Sequence, residues 1–116
     1  MNCRNSEAKI EEWLTHQIRE LGGISYKFTS PGNPGVPDRI YILPGGIVWF
    51  VELKTEIGRL ANIQKWQGKR IREHGCNYAV VKGMKEAQEF VRMVEEVMTH
   101  EIHTTCVSAV RHPEDA

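Results

Sequence analysis

A short turn, Pro44-Gly45-Gly46, separates two apolar runs, Arg39–Leu43 and Ile47–Leu53, and this pattern constrains the fold more than any other in the chain. Proline and glycine punctuate a chain, and β-branched and aromatic residues on both sides favour extended backbone, so the segment reads as a β-hairpin. Folding it about Gly45 sets Asp38 opposite Glu52, because the two positions are equidistant from that glycine. Directly opposed residues of an antiparallel pair share a face, with Cβ atoms ~5 Å apart. Lys54, two residues beyond Glu52, shares it too through the period of two along a strand. Ile47–Leu53 is apolar at successive positions, as a central strand covered on both faces would be. Two acids and a cation therefore converge at one strand end, an arrangement able to hold a hard divalent metal and a phosphate together. A Glu-x-Lys on an exposed edge strand is ordinarily an ion pair. Here Glu52 and Lys54 follow an apolar run, where burying charge without partners costs several kcal/mol, and that favours a functional site.

The remaining periodicities supply the frame. Ile10, Trp13, Leu14, Ile18 and Leu21 fall at helical spacing, with Asn5 or Ser6 as cap and Gly22-Gly23 as stop, so a helix is expected over Ser6–Leu21. Glu7 extends its apolar stripe, although the helix macrodipole alone also draws glutamate to a first turn. Ile24–Phe28 reads as a short strand, and 29–36 as a Pro- and Gly-rich loop delivering the chain to Asp38. A helix is expected over Asn62–His74, closed by Gly75, with a thin apolar stripe of Ile63, Trp66 and Ile71 and with Gly68 in its middle, which costs ~1 kcal/mol against alanine. Cys76–Lys82 reads as a strand. Met84–Met98 reads as a helix with Ala87, Phe90, Val91, Val94, Val97 and Met98 inward. The order is αβββαβα, an α/β fold with a mixed central sheet flanked by helices. Residues 99–116 carry no periodicity and are expected to form a tail, in which Val107, Ala109 and Val110 could add a strand or an intersubunit contact.

With 116 residues, 41% of them hydrophobic and 26% charged, the chain has the size and composition of one globular domain. It offers no apolar run of the ~20 residues a membrane span needs and no apolar signal segment at its start, so a cytoplasmic protein is expected. Cys3, Cys76 and Cys106 are odd in number and widely spaced, and read as reduced structural thiols. The five histidines show no ligand spacing. A net charge of zero argues at first against a nucleic-acid partner. The distribution answers that objection: between Lys54 and Gly75 six Lys and Arg face two acids, while acids gather at Glu86, Glu89, Glu95, Glu96 and Glu101. A cationic edge beside the proposed site suits phosphate contacts of steep salt dependence. Trp13, Trp49 and Trp66 are expected in the core or an interface.

The segments Gly35-Val36-Pro37-Asp38-Arg39, Glu52-Leu53-Lys54, Gly58-Arg59-Leu60 and Gln64 resemble the VRR-NUC branch of the PD-(D/E)xK nuclease superfamily, a resemblance covering Ser6 to Gly83 and so a nuclease domain over 1–98. It implies the restriction-endonuclease-like core already read from the pattern. It further implies that Asp38, Glu52 and the Leu53 carbonyl bind Mg²⁺ (Mn²⁺ substituting), that Lys54 contacts the scissile phosphate or positions the attacking water, and that Gln64 orients Lys54 or that water. Glu7 matches the family's helix-one glutamate, reaching the site through water or a second metal. Arg39, Arg59, Lys65, Lys69 and Arg72 would grip DNA, unless Arg39 pairs with a nearby acid. Single-domain proteins of this kind occur largely in phages and prophages, so the resemblance implies a homodimeric endonuclease resolving four-way junctions in the cytoplasm of a host. Flap, nicking or restriction-type cleavage, or a non-catalytic DNA-binding module, are the alternatives. The family often has Ser-Pro before the glutamine, where this chain has Ala61-Asn62-Ile63. Asparagine caps helices better than alanine, so the helix is expected to begin a residue later, capped by Asn62.

Overall fold

The computed structural model describes residues 5–105. Helix α1 spans Glu7–Glu20; Ser6 caps it, its hydroxyl accepting from the Lys9 amide at 3.2 Å. Three antiparallel strands follow, β1 (Ile24–Lys27), β2 (Arg39–Leu43) and β3 (Ile47–Lys54), and then α2 (Asn62–Glu73), β4 (Asn77–Lys82) and α3 (Gly83–Thr105). The sheet runs β1-β2-β3-β4, with β3 and β4 parallel. A parallel pair needs a crossover, and α2 supplies it. No described helix is long and apolar enough to cross a membrane.

The hairpin has the expected register. Leu43 pairs with Ile47 and Arg39 with Val51 about a turn in which Gly45 and Gly46 take positive φ angles of 92° and 76°. Alternation then sorts the side chains. The odd positions Tyr41, Leu43, Ile47, Val51 and Leu53 are buried on the side of the sheet that carries α1 and α3, with Ile10, Leu14, Ile18, Phe90, Val91 and Val94. Removing each such side chain from water contributes ~1.5–3 kcal/mol. Thr15 and Tyr41 hydroxyls meet at 3.5 Å within this core, and Trp49 packs edge-on to Phe90 at 5.3 Å. The even positions, Glu52 among them, face α2.

Helix α2 departs from its expected stripe. Ile63 and Trp66 are 41% and 49% exposed, whereas Gln67 and Gly68 are its buried residues. The reason is how close the helix lies to the sheet: a Cβ on Gly68 would fall 2.5 Å from the Tyr78 ring. The helix also starts with Asn62 already inside it. Ala61 stands at the cap position, and its amide donates instead to Gln64 Oε1 at 2.8 Å. Helix α3 passes the expected end at Met98 and runs to Thr105; the segment contains no glycine or proline to stop it, and Thr99 bonds back to the Glu95 carbonyl. The rest of the expected tail, with Val107, Ala109 and Val110, lies outside the described residues, as do Cys3 and Cys106. Cys76 is an exposed free thiol rather than a structural one, since it precedes β4 instead of lying within it.

The Gly68–Tyr78 contact predicts the sign of a substitution. Gly68→Ala in an exposed helix would stabilise by ~1 kcal/mol; here overpacking against Tyr78 should destabilise the protein by ~1–3 kcal/mol, measured by urea denaturation.

Candidate active site at the end of the central strand

The site is built from the ends of β2 and β3 and the first turn of α2. Pro37 is fully buried and anchors the chain where it enters β2. The Asp38 carbonyl accepts from the Phe28 amide at 2.8 Å, tying its backbone to the end of β1. Its carboxylate reaches across the hairpin, with Oδ2 accepting from the Leu53 amide at 2.7 Å. Asp38 thus sits one step beyond the Arg39–Val51 pair, opposite Glu52 as the turn geometry requires.

Glu52 is 2% exposed. Its Oε2 accepts from Gln64 Nε2 at 2.7 Å and lies 3.8 Å from Lys54 Nζ, while its buried Oε1 has no hydrogen-bond partner. Burial foremost, and then the charge of Asp38, push the Glu52 carboxyl up to about 7, with Lys54 opposing. Neighbouring Glu7 and a hydrogen bond to Asp38, available when Glu52 holds a proton, add to the rise. One interior lysine at 3.8 Å does not offset two carboxylates and the loss of water.

Gln64 binds Glu52 and not Lys54 or a free position. Its carbonyl oxygen is taken by the Ala61 amide, so only its amide nitrogen faces the site, and a carboxylate is the partner for a donor. Glu7 stands exposed at the start of α1, close enough for burial and the Asp38 charge to raise its carboxyl while Lys54 lowers it. Among the described residues no group of three or more His, Cys, Asp or Glu side chains is arranged to hold a metal, so Glu7 is not drawn into one cluster with Asp38 and Glu52.

The cationic residues divide. Arg39, one residue from Asp38, points to the opposite side of the sheet and is consumed there, its Nε donating to Glu11 Oε2 at 2.7 Å and its Nη1 to Ser25 Oγ at 3.2 Å. Of its two expected roles, pairing with an acid is the one observed. A surface depression of about 920 Å³ lies on this α1 side and contains neither Asp38 nor Glu52. Lys65, Lys69 and Arg72 instead line a cavity of about 300 Å³ with Tyr78 and Val80. Val80 pairs with Glu52, so this cavity, which Glu73 also lines, lies beside Glu52 on the sheet. Arg72 lies over the Tyr78 ring at 5.0 Å, and Arg59 is exposed in the loop between β3 and α2. Arg70, not singled out from the sequence, stacks over the exposed Trp66 ring at 4.6 Å. An i, i+4 Trp-Arg spacing on a helix was the available signal.

No protein-family model matches the chain. It is 43% identical over 74 residues to the "Putative nuclease p44" of Acyrthosiphon pisum secondary endosymbiont phage 1, a match spanning 64% of this chain and 73% of that protein. It is also similar to a solved structure of a VRR_NUC domain, with 30% identity, a TM-score of 0.70 and coverage of 74% of this chain and 94% of the other. With its αβββαβα order and mixed sheet of the PD-(D/E)xK type, the chain belongs to the VRR-NUC family of nucleases.

Proposed function

We propose that the chain is a divalent-metal-dependent DNA endonuclease that hydrolyses phosphodiester bonds in branched DNA, four-way junctions foremost, as a homodimer. One observation carries the catalytic part: a carboxylate 2% exposed, beside a second carboxylate, with one oxygen lacking any partner. A dication resolves that imbalance of charge, and an all-oxygen donor set suits Mg²⁺, with Mn²⁺ as substitute. Asp38 and Glu52 would hold it, together with the Leu53 carbonyl. When bound, the ion supplies a water of lowered pKa and positive charge at the phosphoryl oxygen.

The chain's own residues do the rest. The Leu53 amide and Gln64 hold Asp38 and Glu52 in place, so neither must reorganise when the substrate arrives. Lys54 keeps its ammonium beside Glu52 and binds the phosphate undergoing attack. Glu7 adds negative charge at the mouth, where a water-mediated contact to the ion would lie. Lys65, Lys69, Arg72 and Arg59 line the approach and hold flanking phosphates.

Preference for branched DNA rests on the symmetry of paired cuts. One hydrolytic centre cuts one strand, and paired cuts across a junction need two copies related by a two-fold axis.

Glu52→Ala and Lys54→Ala should each lower cleavage of a synthetic four-way junction by at least ~100-fold while circular dichroism stays native; full activity in both would remove the site assignment. Asp38→Asn should weaken Mg²⁺ binding in calorimetry. Lys69→Ala should reduce the slope of log affinity against log salt by ~1, whereas Arg39→Ala should leave that slope unchanged.

The charge imbalance also predicts a pH dependence. Burial and the Asp38 charge hold the Glu52 carboxyl up at about 7, above its ordinary 4.5. Its contribution is fully favourable below the lower value and is lost as the pH rises towards the upper one, because the unfolded chain ionises first. The melting temperature of Glu52→Gln, measured against the native chain in EDTA, should therefore gain steadily between pH 4.5 and 7; a constant difference would contradict this account.

A further inference from the structure

On the flank of α2 away from Lys65 and Lys69, a second cavity of about 310 Å³ opens between the helix, β3 and the loop 30–36. Val36, Phe50 and Ile71 give it an apolar floor, and Ser30, Asn33 and Arg70 a polar rim. The loop that forms one wall is fastened to the helix by Gln67 Nε2, which donates to the Pro34 carbonyl at 3.1 Å, and braced within itself where Asn33 Nδ2 donates to Ser30 Oγ at 2.9 Å. Arg70 is held from outside by Trp66, whose ring lies 4.6 Å from the guanidinium although the indole is 49% exposed. A large aromatic left half in water on a cationic helix, with an arginine laid over it, buries little apolar surface. It does provide a planar surface of the kind on which nucleobases stack.

The position of this cavity relative to the carboxylates sets what can enter it. Each wall is adjacent to a residue of the catalytic site: Val36 precedes Asp38 by two residues, Phe50 precedes Glu52 by two on the same face of β3, and Gln67 follows Gln64 by one helical turn. Two residues along a strand advance ~6.6 Å, about twice the ~3.4 Å axial rise per nucleotide of a DNA strand.

Building on the nuclease reading above, we propose that this cavity receives one unpaired nucleobase of the substrate strand, one or two nucleotides from the phosphate at Glu52. The apolar floor accepts the flat ring, and Arg70 meets its edge or face. Trp66 acts as a positioning residue through Arg70. A paired base cannot leave its stack without cost, whereas a base at a branch point is already free, so the cavity favours DNA with a strand exchange or flap next to the cut. The volume is ample for one ring, since a cavity of ~150 Å³ already takes benzene.

The test places 2-aminopurine singly at each of the three nucleotides on either side of the cut in a four-way junction, and reads its fluorescence with the native chain in EDTA. A change confined to one position, one or two nucleotides from the cut, is expected, abolished in Arg70→Ala and Trp66→Ala and kept in Trp66→Phe. With Mg²⁺, an abasic site at that position should lower kcat/KM of the native chain roughly tenfold and leave that of Arg70→Ala unchanged. Equal signals at all positions, or an abasic junction cut as fast as the intact one, would overturn the proposal. Absence of any cleavage, with the positional signal intact, would instead remove the nuclease reading and leave the base pocket standing. All three variants change exposed side chains, and a native melting temperature confirms that they fold.

Discussion

Holding the Glu52 carboxylate inside the protein at the end of the central strand makes demands on every neighbouring element. The charge cannot be hydrated at 2% exposure, so each donor must come from the fold. Gln64 supplies one, at 2.7 Å, but only if α2 begins within reach of β3. Lys54 supplies diffuse attraction from 3.8 Å, and only if β3 stays extended through its last two residues. Asp38 raises the difficulty by adding a second charge, and its own needs are met by the Leu53 amide, on the residue next to Glu52. The satisfied contacts set geometry, and the unsatisfied Oε1 leaves the site short of one positive partner.

Helix α2 carries most of the consequences. To bring Gln64 to Glu52 it must lie close to the sheet, and Gly68 makes this possible by omitting the Cβ that Tyr78 would meet. That close approach decides which side chains the helix can bury. Gln67 and Gly68 turn inward, and the larger Ile63 and Trp66 are displaced to the surface, where a purely hydrophobic reading would not put them. Lys65, Lys69 and Arg72 then flank the helix on the β4 side, and Trp66 with Arg70 on the other. A helix with little intrinsic stability is thus anchored by packing of its backbone and by hydrogen bonds rather than by an apolar stripe.

Much of this was legible from residue order alone, for a physical reason. The register of a hairpin follows from its turn, so once Pro44-Gly45-Gly46 is recognised the juxtaposition of Asp38 and Glu52 follows without any knowledge of the core. Helices α1 and α3 are legible because their apolar positions repeat at the spacing of a buried face. What could not be read depends on close contacts between elements distant in sequence. The inward turn of Gly68 requires Tyr78, and the capture of Arg39 by Glu11 requires α1 to cross the sheet at that point. The cap of α2 departs from the expected Asn62 because that expectation compares capping side chains, whereas here Gln64, three residues on, satisfies the Ala61 amide. Helix α3 runs past Met98 because Ile102 continues the spacing of Val94 and Met98 with no glycine or proline before Thr105, a continuation that one apolar residue among polar neighbours marks only weakly.

The fate of the arginines and lysines shows why a net charge of zero is a poor guide to partners. Arg39 is nearest to Asp38 in sequence, yet strand alternation sends it to the other face, where Glu11 neutralises it. Lys65 and Lys69 are far from Glu52 in the chain, yet they line the cavity that borders it through β4. Most other acids lie on α1 and α3, on the opposite face of the sheet, with Glu7 at the start of α1 the exception near the site. At physiological ionic strength fields fade over ~8 Å, so an anionic ligand senses the nearby lysines more than the distant glutamates. A chain neutral in sum can thus present an electropositive approach to a strongly anionic centre. Such a centre would repel an anion on its own, so the cations beside it are what lets an anionic ligand approach.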